Sequence, residues 1–203
     1  MIEGKNISKR FDDLILFEKF NFKINDGDFV CFSGASGTGK TTLLNIIGLL
    51  EPINDGELVI NGKIYTTNRE KLEYYRSEVG FLFQNFALIE SKTVEQNLKI
   101  ISKKNRTDYT IFEVLEKVGL QDKLHNKVYT LSGGEQQRIA LARLFLKKCN
   151  IILADEPTGS LDSKNAKIVM KILFDLNREG KTVIIVTHDE TIKKMARKVI
   201  KLI

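Results

Sequence analysis

The sequence of 203 residues has few of the features that mark secreted, membrane-spanning or disulfide-bonded proteins. It has two cysteines, and no apolar run approaches the roughly 20 residues that are needed to cross a bilayer. The start, Met1-Ile-Glu-Gly, lacks the basic and then apolar layout of a signal peptide. We therefore expect a cytoplasmic protein in which Cys31 and Cys149 are small core residues rather than disulfide partners or metal ligands.

Internal repeats, low-complexity segments and aromatic-and-basic RNA motifs are also missing. At 42% hydrophobic and 29% charged residues, the composition is that of an ordinary soluble domain, and we predict one domain over residues 1–203. The formal charge is +6, and the basic residues cluster only near the C-terminus, at Lys193, Lys194, Arg197, Lys198 and Lys201. We interpret this cluster as a solvated face and expect no nucleic-acid partner.

One glycine-rich segment has the spacing of a phosphate-binding loop. Residues 33–42 read Ser-Gly-Ala-Ser-Gly-Thr-Gly-Lys-Thr-Thr, which fits Gly, any four residues, then Gly-Lys-Ser/Thr. We expect its three glycines to adopt positive φ, so that successive N–H groups point into one concavity. The predicted phosphate contacts are Gly34, Ala35, Ser36, Gly37, Thr38, Gly39, Lys40, Thr41 and Thr42.

Three side chains of this loop have separate predicted roles. Lys40 can reach the β- and γ-phosphates, Thr41 can bind Mg²⁺ through its hydroxyl, and Thr42 can contact the preceding phosphate. A chance glycine turn is the alternative. The context favours a phosphate loop, because an apolar strand is predicted before it and a helix after it, whose N-terminus adds its dipole.

Short alternating segments over residues 2–24, followed by a turn at 25–27, predict antiparallel strands, and residues 57–62 predict another strand and turn. These strands would form a small β-layer beside the phosphate loop. Phe11 lies in this layer, where its ring could stack on a nucleotide base. A buried core position for Phe11 is the alternative, because most aromatic residues are buried.

Polar residues follow three predicted buried strands. Gln84 ends the strand of residues 78–84, Asp155 and Glu156 end that of residues 150–157, and His188 follows that of residues 182–187. In open α/β sheets, ligands bind at the carboxyl ends of parallel strands, so Gln84 is predicted to point toward the phosphate site. Asp155 can hold Mg²⁺ through its water, and Glu156 can orient or deprotonate a water near the γ-phosphate.

Residues 131–138 read Leu-Ser-Gly-Gly-Glu-Gln-Gln-Arg and precede a predicted helix. Ser132 with Glu135 three residues later forms a capping box, which would give the segment a purely local role. The paired glycines, Gly133 and Gly134, also leave bare N–H groups at a helix N-terminus. This segment is therefore a second place in the chain that suits phosphate.

Taken in order, these motifs and Ser160-Leu-Asp162 resemble an ABC-transporter nucleotide-binding domain over nearly the whole chain. The resemblance implies an α/β P-loop NTPase with a RecA-like, mostly parallel sheet, an antiparallel β-subdomain and a helical subdomain. It implies an ATP-binding core over about residues 1–84 and 147–203, with the helical subdomain at about 85–146.

The resemblance also implies that the chain hydrolyses ATP with Mg²⁺ as a head-to-tail homodimer, each ATP lying between one protomer's phosphate loop and the other's Ser132, Gly133 and Gly134. Within this comparison, the implied roles are as follows: Phe11 stacks on adenine, Thr41, Gln84 and Asp155 form the Mg²⁺ site, Glu156 is the general base, Asp162 lines the dimer interface, and His188 holds the γ-phosphate. Phe11 stands where tyrosine is common in the family.

Segments such as Phe-Gln-Asn-Phe at residues 83–86 resemble the branch that serves macrolide, lipoprotein and bacteriocin export. This predicts a separate membrane permease, an exported peptide, lipoprotein or drug, and a position on the inner face of the membrane. We expect a helical segment after Gln84, with Phe86, Leu88 and Ile89, to dock the permease or to be core.

Three alternatives remain at this point. A regulatory ATPase of the cell-division type would signal to a membrane partner without transport. A DNA-repair or translation ATPase would usually need a coiled-coil insertion or a second cassette, and neither is present in the sequence. A small-molecule kinase would leave residues 131–138 without a role.

Overall fold

The strands form two separate sheets in a computed structural model that describes residues 1–202. The antiparallel sheet has the order β2-β1-β4, with β1 at Ile2–Phe11, β2 at Leu14–Ile24 and β4 at Asp55–Ile60. The other sheet has the order β5-β6-β7-β3-β8, and all of its pairings are parallel. Its strands are β5 at Val79–Leu82, β6 at Ile151–Asp155, β7 at Thr182–Val186, β3 at Phe29–Ser33 and β8 at Lys198–Lys201. The predicted combination of a parallel and an antiparallel sheet is confirmed.

Helices connect and cover these strands. They are α1 at Lys40–Ile47, α2 at Asn68–Ser77, α3 at Val94–Lys99, α4 at Ile111–Lys117, α5 at Gly133–Leu146, α6 at Ser163–Arg178 and α7 at Glu190–Met195. Short 3₁₀ helices lie at Lys103–Asn105, Gln121–Lys123 and Val128–Thr130. None of the helices within residues 1–202 is both long and apolar enough to cross a membrane.

The parallel sheet is covered on both faces, which explains the apolar runs of its central strands. Ile152 and Ala154 of β6 pack in one core cluster with α3, α4, α5 and α6. Ile151 and Leu153 pack in a second cluster with α1 and the antiparallel sheet. Neighbouring residues of a strand point to opposite faces, so β6 contributes to both clusters. Cys31 and Cys149 are buried and unpaired, as predicted.

The helical segment expected after Gln84 is not helical at Phe86, Leu88 and Ile89. Residues 84–93 lie in turns and irregular structure, and the first helix begins at Val94, where Thr93 caps it with Gln96 in a capping box. Residues 94–124 are divided into α3, α4 and 3₁₀ helices because Thr110 and Glu113 start a new helix with a capping box of their own. Gly119 follows α4 with φ of 67°, the left-handed conformation in which a glycine commonly ends a helix.

Candidate functional site

The phosphate loop connects β3 to α1, as its sequence predicts. Gly39, the N-cap of α1, has φ of 83° and provides no side-chain cap, while Gly37 has φ of 82°. The expectation of positive φ is wrong for Gly34, whose φ is not in that range. Gly34 is required there for a different reason, since a Cβ at this position would lie 2.9 Å from the carbonyl oxygen of Leu202. Because Gly39 has no side chain, the N–H groups at the start of α1 are left without a side-chain cap.

Lys40 lies within the concavity of this loop. Its side chain is buried, with 8% exposure, and its Nζ donates to the carbonyl oxygens of Gly34 (3.0 Å) and Ala35 (2.7 Å). Thr38 closes the loop by donating its hydroxyl to the carbonyl oxygen of Ala35 at 3.0 Å. A charged amine held by neutral carbonyls inside a glycine loop is a suitable partner for an anion.

A cavity of about 360 Å³ lies against the loop. It is lined by Phe11, Leu16, Ser36, Gly37, Gly39, Lys40, Thr41, Thr42, Glu156 and Val186. Phe11 ends β1 and is 45% exposed, so the core alternative for this ring is wrong. Lys9 lies over the ring, with its Nζ 4.4 Å from the centroid. The cavity thus has an aromatic ring and a phosphate loop along its lining.

Thr41 and Asp155 bring two oxygens together at the edge of the parallel sheet. The Thr41 hydroxyl donates to Oδ1 of Asp155 at 3.1 Å. Burial raises the pKa of Asp155, an effect that the hydrogen bond from Thr41 opposes. A hydroxyl and a carboxylate oxygen are hard oxygen ligands of the kind that Mg²⁺ prefers, so the pair fits an ion that Thr41 would bind directly and Asp155 through a water. Within residues 1–202, no group of three or more His, Cys, Asp or Glu side chains is arranged to hold a metal ion.

Glu156 follows β6 with φ of 43°, a left-handed conformation that costs a non-glycine residue about 1–2 kcal/mol. Its carboxylate accepts from the Thr187 hydroxyl (2.9 Å) and from the His188 backbone N–H (3.1 Å), and it lies 2.8 Å from His188 Nδ1. The structure therefore brings Glu156 and His188 together, as their strand-end positions predict.

Thr187 was missed by sequence reasoning. It is buried, and its oxygen accepts from the Asp189 N–H at 3.1 Å, so its single hydroxyl proton is directed to the Glu156 carboxylate. The only sequence signal for its role is its place: a hydroxyl residue stands between the apolar residues of a strand and the polar residue that follows the strand.

Gln84 does not lie where it was predicted. Strand β5 ends at Leu82, which pairs with Ala154, so Gln84 lies in a turn at the same sheet edge as Asp155. Gln84 is exposed and is not among the residues that line the cavity. The Phe86 N–H donates to the Phe83 carbonyl at 3.0 Å and closes a turn around Gln84. Because the strand is shorter than expected, the amide belongs to this turn and not to the strand.

Ser132, Gly133 and Gly134 form the N-terminus of α5, with the predicted capping box. Glu135 N–H donates to Ser132 Oγ at 3.4 Å, and Ser132 N–H donates to Glu135 Oε2 at 2.8 Å. The backbone N–H of Ser132 holds the pKa of Glu135 below its usual value, despite partial burial. Within the part of the chain that the structure describes, none of Ser132, Gly133 and Gly134 lines the cavity of the phosphate loop.

The two glycines of α5 have different surroundings. A Cβ on Gly134 would lie 2.6 Å from Asn165, so Gly134 allows α5 to pack against α6. A Cβ on Gly133 would meet no heavy atom within 4 Å, so packing within the chain does not require a glycine there. Asp162 caps α6 and accepts from Asn165 through its backbone N–H (2.8 Å) and its side-chain amide (2.7 Å). Asp162 therefore lies beside the α5 N-terminus and outside the cavity.

Comparisons with known proteins agree with this geometry. The family model described as ABC transporter matches residues 17–159. The chain is 41% identical to an uncharacterised ABC transporter ATP-binding protein of Methanocaldococcus jannaschii, MJ1508, over all of this chain and 95% of the relative. It is also 41% identical to the macrolide export ATP-binding/permease protein MacB of Bdellovibrio bacteriovorus, over all of this chain but only 32% of MacB. The chain thus spans about a third of that relative.

Among solved structures, the chain is similar to the ATP-binding cassette MJ0796 in a dimeric post-hydrolysis state with ADP and Pi. That similarity has a TM-score of 0.85 and 34% identity, and it covers all of this chain and 94% of the other. A sequence match over most of the chain, a shared fold and a matching phosphate loop agree with one another. The chain belongs to the ABC transporter family, as an ATP-hydrolysing, ATP-binding cassette of the P-loop NTPase fold.

Proposed function

We propose that this chain hydrolyses ATP in order to drive a separate membrane permease. The observation that carries this proposal is the convergence of Lys40, the Thr41–Asp155 pair and Glu156 at one cavity. Lys40 and the loop N–H groups bind the β- and γ-phosphates, and Phe11 stacks on adenine. Mg²⁺, bound near Thr41 and Asp155, neutralises phosphate charge when it is present. Gln84 completes that site from its turn at the sheet edge.

Glu156 is the proposed general base. The Thr187 hydroxyl and the His188 backbone N–H fix the position of its carboxylate, and His188 Nδ1 lies beside it, so the carboxylate is held in place to accept a proton from water. The His188 side chain is mostly exposed and contacts Glu156 through Nδ1, and Nε2, when it carries a proton, can donate to the γ-phosphate. Thr187 orients the carboxylate without contacting ATP.

The proposed active form is a head-to-tail homodimer with two ATP molecules. The α5 N-terminus lies outside its own chain's cavity, and Gly133 leaves open space above a helix N-terminus that suits phosphate. A partner's ATP can approach there, with Asp162 at the same surface. The solved dimers of MJ0796 support an assembly of this kind.

The permease is proposed to dock in a groove of about 390 Å³ beside the Gln84 turn. Its lining includes Tyr75, Phe81, Phe83, Ala87, Ile100 and Ile101. Phe86 and Leu88, which the docking hypothesis had named, are partly buried against the core, whereas Ile89 is exposed. The groove lies where the proposed helical subdomain, residues 85–146, meets the proposed ATP-binding core of residues 1–84 and 147–203.

The proposed cargo is a peptide, lipoprotein or drug that leaves the cell, and the chain would lie on the inner face of the membrane. Relatives named for macrolide export and for syringafactin export support this class. A regulatory role without transport is the second candidate, because the site geometry is the same for both. Identification of the membrane protein that co-purifies with the chain separates the two.

The test of the catalytic proposal is Glu156→Gln. Loss of a general base usually costs roughly a hundredfold or more in rate, while the phosphate loop stays intact. We expect Glu156→Gln to bind ATP and to accumulate as a dimer with ATP in size-exclusion chromatography with light scattering. Glu179→Gln, which changes an exposed carboxylate beside Lys117, is the matched control and should hydrolyse ATP normally. Wild-type hydrolysis in Glu156→Gln would remove Glu156 from this role.

The test of the docking proposal is Ile100→Asp. Ile100 is 53% exposed in the groove, and a carboxylate there would oppose an apolar partner surface. We expect the variant to hydrolyse ATP as a soluble protein and to be lost from membranes that contain the permease. Phe112→Asp, at a similarly exposed position on α4, should remain membrane-bound. Equal membrane recovery of both variants would place the docking surface elsewhere.

A further inference from the structure

One side chain, Arg143, connects the Gln84 turn to the helix that begins at Ser132. Arg143 lies in the last turn of α5. Its guanidinium donates through one nitrogen to the carbonyl oxygen of Ala87 (2.6 Å) and through the other to that of Phe86 (3.1 Å). A planar fork with two fixed donors orients two acceptors at once, which a single amine does less well.

The segment that Arg143 holds has an unusual backbone. Phe86 has φ of 61° and Ala87 has φ of 47°, so two consecutive non-glycine residues are left-handed. Such residues persist only where the surroundings hold them in place. Here the Phe86 ring packs against the core, and Arg143 binds both carbonyls. The position of Gln84, two residues earlier, therefore depends on Arg143.

Helix α5 can transmit a displacement between its ends. It runs without glycine or proline from Glu135 to Leu146, and most of its residues are buried. Ser132 and Arg143 are separated by eleven residues, roughly 16 Å along the axis. A movement of the Gln84 turn therefore moves the α5 N-terminus as part of the same rigid element.

We propose that Arg143 is a positioning residue that couples the two ATP sites of the dimer. This inference rests on the proposed function, in which Gln84 serves its own protomer's ATP and Ser132 serves the partner's. Binding of ATP at one site orders the Gln84 turn, and Arg143 and α5 then place Ser132 for the other site. Because coupling between binding sites is reciprocal, each site promotes the other.

The test measures cooperativity with the full chain, Mg²⁺ and ATP. We expect the wild-type hydrolysis rate to depend on the ATP concentration with a Hill coefficient near two, which is the upper limit for a dimer with two sites. Arg143→Gln should lower the Hill coefficient to about one and reduce kcat about tenfold or more, while the Kd of the dilute protomer for a fluorescent ATP analogue changes less than about threefold. Arg143→Lys should restore part of the cooperativity.

The matched control is Arg106→Gln. Arg106 is another half-buried arginine whose guanidinium donates to two carbonyls, of Ile101 (2.8 Å) and Leu98 (3.5 Å), but it does not contact the Gln84 turn. Its loss should lower the melting temperature and leave the Hill coefficient unchanged. Equal losses of cooperativity in Arg106→Gln and Arg143→Gln would show a merely structural role and overturn the proposal, as would a fully cooperative Arg143→Gln.

A double-mutant cycle decides the question if Arg143→Gln does not fold. The cycle then uses Arg143→Lys, Gln84→Ala and the double variant. The effects of the two substitutions on kcat should be non-additive, because both act through one turn. Additive effects would overturn the coupling. Failure of the proposed function is distinguishable, since the wild-type chain itself would then show neither ATP-driven dimerisation nor hydrolysis.

Discussion

The N-termini of α1 and α5 differ in whether an acidic side chain of the same chain already occupies them. Helix α1 begins after Gly39, which provides no side-chain cap, and it has no acidic residue in its first turn. Helix α5 begins after Ser132 and already holds the Glu135 carboxylate in a complete capping box. Positive partial charge at α1 is thus left for a ligand, whereas at α5 it is shared with a residue of the chain.

We therefore expect the two helix N-termini to have separate roles in phosphate binding. The α1 end, with Lys40, can bind phosphate by itself. The α5 end is expected to contact a phosphate only when another protomer already holds it, because Glu135 repels a free anion. Changes near α1 should therefore alter affinity, and changes near Ser132 should alter hydrolysis.

The largest expected effect comes from Ser132→Arg. A long cation at the open α5 end should prevent closure of the dimer and lower hydrolysis roughly a hundredfold, the scale of losing preorganised donors at a transferring group. The affinity of the dilute protomer for ATP should not change.

A mixing experiment checks whether Ser132 acts on the partner's ATP. In heterodimers of Ser132→Arg and Lys40→Ala, one composite site is intact, so at ATP concentrations well below the Kd of Lys40→Ala the mixture should hydrolyse ATP faster than either protein alone. Normal hydrolysis by Ser132→Arg itself would leave this segment with only its capping role.

Lys40→Ala should have the next largest effect, on affinity. A charge-assisted hydrogen bond contributes about 1.5–3 kcal/mol, so the Kd for ATP should rise about 10- to 100-fold. Isothermal titration calorimetry measures it, with Lys104→Ala, on an exposed 3₁₀ helix, as the control. An unchanged Kd would contradict the division of tasks between the two helix ends.

Phe11→Ala should weaken ATP binding less than Lys40→Ala. Stacking is worth about 1–3 kcal/mol per base and does not distinguish purines. GTP should therefore compete with ATP within about one order of magnitude in the wild-type protein. A thousandfold preference for ATP would show that polar contacts read the base.

Asp155→Asn should stabilise the free protein while it impairs hydrolysis. Burial raises the pKa of Asp155, so its contribution to stability is favourable only below the unfolded value and is lost as pH rises through the folded pKa. At pH 7 the charged form opposes folding. If its removal is worth about 1 kcal/mol, Tm should rise about 2–4 °C by calorimetry. A lower Tm at pH 7 would contradict this sign.

Glu135→Gln should have the smallest effect and the opposite sign. The pKa of Glu135 is lowered, so its stabilisation is present above the unfolded value and is lost as pH falls through the folded pKa. Glutamine keeps the capping box and loses only the charge, worth about 0.3–1 kcal/mol near a helix N-terminus. Tm should fall by about 1–3 °C at pH 7, and the difference should disappear in acid. A rise in Tm at pH 7 would contradict the opposite signs predicted for the Asp155 and Glu135 substitutions.

Local features of the sequence were enough to predict much of this site. The phosphate loop, the carboxylates after β6 and the Ser132 capping box each depend on a few neighbouring residues. Helix α5 begins after Ser132, where the sequence predicts its capping box. Such features are readable because strand and helix periodicity and capping act over one or two turns of chain.

Tertiary packing decided the remainder. The close approach of Leu202 to Gly34, the Thr187 bond to Glu156 and the Arg143 bonds to the Gln84 turn all join residues far apart in sequence. The sequence predicts Gln84 at a strand end, but β5 ends at Leu82 and Gln84 lies in the following turn. Residue types and spacing specify what each segment can bind, whereas the distances between segments arise only when both faces of the parallel sheet are covered.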